Sequence, residues 1–171
     1  MHPQIINVND VQLVPRPTVY AAKGPAAERF DASTGHISGR LGARLLGYNV
    51  TTIPPGKRAF PFHNHRVNEE MFFILEGTGE IRLGENRHPI RAGDIIACPP
   101  GGKQSAHQII NTGNIELKFL AVSTQLPDIS EYPDSGKFGV YMELRSSAGA
   151  QPQVFRYIGR EELNVDYWDG E

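Results

Sequence analysis

Apolar positions along this chain fall in short runs, broken at close intervals by glycine, proline and asparagine, a rhythm that predicts strands and tight turns in place of long helices. The plainest alternation sets Ile115, Leu117, Phe119 and Ala121 against Glu116 and Lys118, a period of two that turns one face of a strand inward. Met71 to Leu75 is an aromatic and branched run closed by Gly77, which suits a buried strand. The same reading places strands over 43–53, 70–75, 79–83, 87–91, 95–97, 106–111 and 115–122. Pro54-Pro55-Gly56, Glu76-Gly77, Leu83 to Asn86, Ala92 to Asp94, Pro99 to Gly102 and Asn111 to Asn114 supply the dihedrals that turns between them need. An all-β sandwich or barrel follows. Phe60, Phe62, Phe72, Ile74 and Phe119 are expected to line its interior, with Lys57 and Arg58 near its mouth.

The flanks are less regular. Residues 1–40 offer a short helix over 26–30 and no amphipathic pattern fit for a helix-turn-helix, so they are expected to wrap the barrel or reach a partner subunit. Residues 41–125 then form the barrel core and 126–171 a C-terminal extension packed on it. Within that extension Glu131 to Phe138 and Tyr167 to Glu171 read as loops. Phe155, Tyr157, Tyr167 and Trp168 are expected to cover an open sheet face or to pack in a dimer.

Composition narrows the partners. A chain of 171 residues fits one domain with a sizeable core. Seventeen basic against nineteen acidic residues, with no basic stripe, argue against nucleic acid. The longest apolar runs are far too short to span a bilayer, and the first residues lack the charged head and apolar stretch of a secretory signal. Cys98 is the only cysteine, so no intramolecular disulfide forms; a cytoplasmic location is expected, with Cys98 as a small buried hydrophobe. Long flanks and sheet edges in need of cover point to a homodimer.

Candidate chemistry concentrates in His63, His65, Glu70 and His107. Residues two apart on an extended strand share a face, so His63 and His65 can bind one ion. Glu70 begins the next strand, and His107 lies on a strand after a Pro/Gly turn. Three imidazoles and a carboxylate suit one divalent first-row metal. His2, His36 and His88 lack spaced partners of this kind.

Two segments resemble the paired motifs of the cupin superfamily. The first is His63-x-His65, four residues, Glu70, six residues and Gly77, where the interval to Gly77 selects Glu70 over Glu69; Gly56 leads it one residue farther from His63 than the family pattern. The second is Gly93, five residues, Pro99-x-Gly101, His107, three residues and Asn111, with three extra residues between Gly101 and His107. The resemblance, which extends into the tail toward small single-domain bacterial cupins sometimes labelled sugar-phosphate isomerase-like, implies a double-stranded β-helix, the jelly-roll or cupin barrel, with His63, His65, Glu70 and His107 as metal ligands. Zinc, manganese, iron, nickel or copper would fit this set, and ligation through one atom each leaves one or two coordination positions open. The expected function is a metal-dependent enzyme of oxygenase or isomerase type acting on a small oxygenated organic molecule; the alternative is a non-catalytic metal-dependent binding or sensor protein. Shared fold does not choose between them. Glu69 and Tyr48 are the nearest candidate acids or bases, with Tyr48 also readable as a wall residue.

Overall fold

Two layers of antiparallel strand face each other around the apolar interior. The computed structural model describes residues 4–144 and 153–171, so His2 lies outside the described residues. In chain order the strands are β1 (Val14–Pro15), β2 (Ser33–His36), β3 (Leu46–Ile53), β4 (Asn64–His65), β5 (Glu70–Glu76), β6 (Thr78–Leu83) and β7 (Asn86–Arg91). They continue with β8 (Ile95–Cys98), β9 (His107–Ile110), β10 (Leu117–Thr124), β11 (Asp128–Tyr132), β12 (Lys137–Leu144) and β13 (Gln153–Arg160). One sheet has the order β1-β2-β3-β10-β5-β8. The other layer consists of β7-β6-β9 and β13-β12-β11-β4, joined where His63 and His107 exchange both backbone hydrogen bonds, at 3.2 and 2.7 Å. This is the double-stranded β-helix of the cupin barrel.

Inward residues follow from the register, because directly opposed residues share a face. Phe119 opposes Ile74 and Thr51, and Ala121 opposes Phe72 and Asn49. Phe72, Ile74, Ile81, Ile96, Ile109, Leu117 and Phe119 belong to the main buried cluster, and Phe119 is only 1% exposed. Burying such a ring contributes about 2 kcal/mol against leaving it in water. A second cluster forms on the other side of the large sheet, where Val11 and Ile37 of the N-terminal arm pack with Val50, Tyr48, Leu75 and Leu120. Tyr48 is therefore a packing residue of the outer face.

Gly77 shows why the first motif must close on glycine. Its φ is +84°, and a Cβ there would lie 2.6 Å from the carbonyl oxygen of Glu116. Asn111, the last residue of the second motif, is fully buried and donates to the carbonyls of Ile53 and Ile115 at 2.7 and 2.8 Å while accepting from Gly113 N–H at 2.9 Å. It pins two turns at one end of the barrel.

Several expectations need correction. The helix over 26–30 is a single 3-10 turn, Gly24–Ala26, followed by a turn and a bridge from Phe30 to Arg58; Pro25 and the short apolar stretch support no longer element. Phe62 is buried, at 4% exposure, yet belongs to neither apolar cluster. It is the neighbour of inward-facing His63, so its ring turns to the opposite face, where the Arg82 guanidinium covers it at 3.5 Å while pairing with both oxygens of Asp134. Phe60 is 45% exposed at the rim, under the guanidinium of Arg16. Lys57 is turned to the carbonyl of Glu28, and Arg58 is held by backbone bridges to Phe30 and Ile110. The expected loop from Glu131 to Phe138 is instead the end of β11, a turn and the start of β12. Among the described residues no helix is long and apolar enough to cross a membrane.

Candidate metal centre

β4 and the residue before it carry His63 and His65 to one face, β5 begins with Glu70, and β9 begins with His107. Ligand atoms of these four side chains all lie within 4.8 Å of one another, the one such His/Cys/Asp/Glu group among the described residues. The convergence has a definite polarity. Oε2 of Glu70 lies 2.9 Å from Nε2 of His107, 3.4 Å from Nε2 of His65 and 3.9 Å from Nε2 of His63. Each opposite ring nitrogen has its own partner: His63 Nδ1 donates to the carbonyl of Pro61 at 2.8 Å, His65 Nδ1 to Asp128 at 2.5 Å and His107 Nδ1 to the carbonyl of Ser105 at 3.4 Å. In the neutral imidazoles that metal binding requires, donation from Nδ1 leaves the Nε2 lone pair facing the centre, the arrangement that orients imidazoles on a metal.

Electrostatics keep His63 neutral and Glu70 ionised, the forms in which these side chains bind a metal. Burial and the neighbouring His107 push His63 down to about 4. Burial alone would lower His65 too, but its hydrogen bond to Asp128 and its pairing with Glu70 overcome that and raise it to about 9. Burial would raise Glu70, yet the surrounding imidazoles hold its carboxyl far below the ordinary range. His65 Nε2 is buried without a hydrogen bond of good geometry, even though Glu70 stands 3.4 Å away. A buried polar nitrogen left in this way is costly, and a divalent ion would satisfy it. The donor set therefore fits a first-row divalent metal.

Glu69 is exposed and contributes only backbone contacts to Thr124, so the carboxylate in the group is that of Glu70. His36 and His88 are exposed and stand outside the group. Cys98 is 2% exposed in the apolar cluster, its thiol pushed by burial and by Glu70 to about 12, which makes it an inert packing residue. The three extra residues before His107 close into the 3-10 turn Lys103–Ser105, and that turn supplies the carbonyl held by His107 Nδ1.

Three contributors are not apparent from motif spacing. Asp128 on β11 braces His65 and also accepts the Val67 N–H at 2.9 Å. Ser130 lies opposite His65 in the register, and Tyr132 stacks on His63 with ring centroids 6.3 Å apart. Their spacing of two, Asp128, Ser130 and Tyr132, marks one face of a strand, but only the pairing of β11 with β4 aims that face at the histidines. Phe72 closes the floor, 5.6 Å from the ring of His107.

Residues 49–123 match the cupin domain family. This barrel is a cupin domain. The chain is 37% identical over 87 residues to the oxalate-binding protein of Thermotoga maritima, covering 51% of this chain and 64% of that one. It is also 37% identical over 71 residues to the uncharacterized protein MJ1618 of Methanocaldococcus jannaschii, covering 42% and 54%. The chain thus spans less than two thirds of the length of both relatives. Among solved structures, a cupin-superfamily sugar phosphate isomerase from Silicibacter pomeroyi superposes with a TM-score of 0.73 over 96% of this chain and 98% of that chain, at 19% identity, which shows a shared fold. A predicted oxalate decarboxylase from Thermotoga maritima gives a TM-score of 0.56 at 25% identity, covering 71% and 99%.

Proposed function

We propose that this cupin is a metal-dependent enzyme acting on a small oxygenated organic molecule, with His63, His65, Glu70 and His107 as the metal ligands. The observation that carries the reading is the convergence of three Nε2 atoms on one carboxylate oxygen, each imidazole fixed from behind by its own acceptor. When bound, the metal would supply Lewis-acid activation or redox chemistry, according to its identity. The chain's own residues would do the rest. Asp128 holds the tautomer of His65, Phe72 and Phe119 keep water from the floor, and Asn49, Thr51 and Ser123 offer polar groups on the same inward faces as Phe72, Phe119 and Glu70. Tyr132, its phenol pushed upward chiefly by burial, is the side chain best placed to hold or donate a proton above His63.

In this reading the barrel over 41–125 carries the ligands, while the extension over 126–171 supplies Asp128 and Tyr132 and the arm over 1–40 covers the outer sheet. A cytoplasmic homodimer is part of the proposal, supported by the lone buried Cys98 and by exposed Phe155, Tyr157, Leu163 and Val165 around the C-terminal strands. The name of the oxalate-binding relative favours a second reading, a protein that holds a small ligand without turnover.

Elemental analysis of untagged protein tests the centre, together with single variants His63→Ala, His65→Ala, Glu70→Gln and His107→Ala. Near one metal per chain, reduced in each variant, supports the ligand set; full occupancy in any variant removes that residue. Oxygen uptake and product analysis with small 2-oxo and 2-hydroxy acids then separate an enzyme from a binder, which returns its ligand unchanged.

A further inference from the structure

The C-terminal strands bring a guanidinium to the face that carries the metal centre. Ser130 pairs with His65 on one side and with Gly139 on the other, Asp128 pairs with Tyr141, and Tyr141 pairs with Arg156. Since opposed residues share a face, His65, Asp128, Ser130, Tyr141 and Arg156 all point to the same side of this layer. With Tyr132 they line an open groove of about 230 Å³, at whose edge Arg156 is exposed. The Arg156 guanidinium lies 5.1 Å from the ring of Tyr20, and Arg156 lines the same groove as Tyr132, the residue stacked on His63.

The barrel interior itself presents neutral polar groups, Asn49, Thr51 and Ser123, beside apolar ones. Arg156 is the cation of the groove that opens on His65. A planar guanidinium offers paired donors whose geometry matches a carboxylate or phosphate. We propose that Arg156 recognises an anionic group on the ligand, so that the ligand spans the groove with one end at the metal centre and a carboxylate or phosphate at the other. Arg156 is then the residue that sets substrate class, and the C-terminal extension is the part of the chain that separates acidic from neutral ligands. This inference rests on the metal-centre reading above.

The test uses the full chain loaded with manganese and four acids that share one chelating 2-oxo-carboxylate head. 2-Oxopentanoate has no distal charge, 2-oxoglutarate and 2-oxoadipate carry a distal carboxylate, and 2-oxo-4-phosphonobutanoate carries a distal phosphonate. Isothermal titration is expected to show at least one distally charged acid binding about tenfold tighter than 2-oxopentanoate, the yield of one charge-assisted pair at an exposed site. Whether carboxylate or phosphonate binds better identifies the group. Arg156→Gln should erase that advantage and Arg156→Lys should keep part of it, with metal content measured on each variant. Equal affinities across the four acids, no binding by any of them, or an advantage that survives Arg156→Gln would overturn the proposal while leaving the metal centre standing. No metal uptake by the unaltered chain would instead fell the metal-centre reading, and this inference with it.

Discussion

Asp128→Asn is the sharpest probe of how the site is organised, because it changes one hydrogen-bond polarity and almost no volume. The Asp128 side chain is 3% exposed, with one oxygen 2.5 Å from His65 Nδ1 and the other accepting the Val67 N–H at 2.9 Å. In the amide the single remaining oxygen must keep the Val67 bond, since a buried backbone N–H without an acceptor is costly. The NH2 group then faces His65. Nδ1 must become the acceptor, the ring proton moves to Nε2, and the imidazole presents a donor to the metal in place of a lone pair. Loss of such a supporting partner typically weakens metal affinity by about 10- to 100-fold, equal to about 1.4–2.7 kcal/mol. Competition with a chelator of known affinity would measure the change, with Asp128→Ala as the comparison in which water can replace the carboxylate. A metal affinity in Asp128→Asn within about twofold of the unaltered chain would refute the reasoning, since it would mean that the tautomer of His65 is set elsewhere.

The raised and lowered histidines predict how the metal-free chain responds to pH. His65, with its folded value near 9, contributes stability that is complete below its unfolded value near 6.5 and lost as pH rises through 9, on the order of 3 kcal/mol, the same interaction energy that Glu70 and Asp128 share. His63, held down to about 4, acts in the other direction: stability falls as pH drops from about 6.5 toward 4, joined there by the depressed carboxyl of Glu70 as acid begins to protonate it. Urea unfolding of chelator-treated protein should therefore show a maximum near pH 6.5, and a profile that is flat from pH 6 to 9 would contradict the pairing of His65. With His65 raised to about 9 by Asp128 and Glu70 in the metal-free chain, metal binding at pH 7 should release close to one proton, read from titration heats in buffers of different ionisation enthalpy; zero release would contradict the raised value. Asn111→Ala, which strands the buried carbonyl of Ile53 together with the part-buried Ile115 carbonyl and Gly113 N–H, should cost about 1–3 kcal/mol in denaturant unfolding, and a loss under about 0.5 kcal/mol would show that water reaches these turns. Gly77→Ala should also destabilise the chain, because it forces a Cβ to 2.6 Å from a backbone oxygen at a positive φ, and a variant as stable as the original would show that the turn can relax.

Much of the barrel and the convergence of His63, His65, Glu70 and His107 were legible in the chain itself. Strand alternation is local, so Phe119 could be assigned inward from Glu116 and Lys118 alone, and His63 and His65 could be placed on one face by their spacing of two. The interval from Glu70 to Gly77 distinguished Glu70 from Glu69 because the motif counts along one strand to a turn that only glycine can make. Pairing between distant strands is a different matter. Nothing within residues 126–160 states that β11 lies against β4, so the face bearing Asp128, Ser130 and Tyr132 could not be aimed at the site, nor Arg156 brought onto that face through β12. Phe62 was misjudged for the same reason: its hydrophobicity is local, but the Arg82 guanidinium that covers its outward ring comes from another strand. Spacing along one chain fixed which side chains share a face, through the period of the backbone; long-range hydrogen bonding between strands, whose register no local pattern encodes, decided what those faces meet.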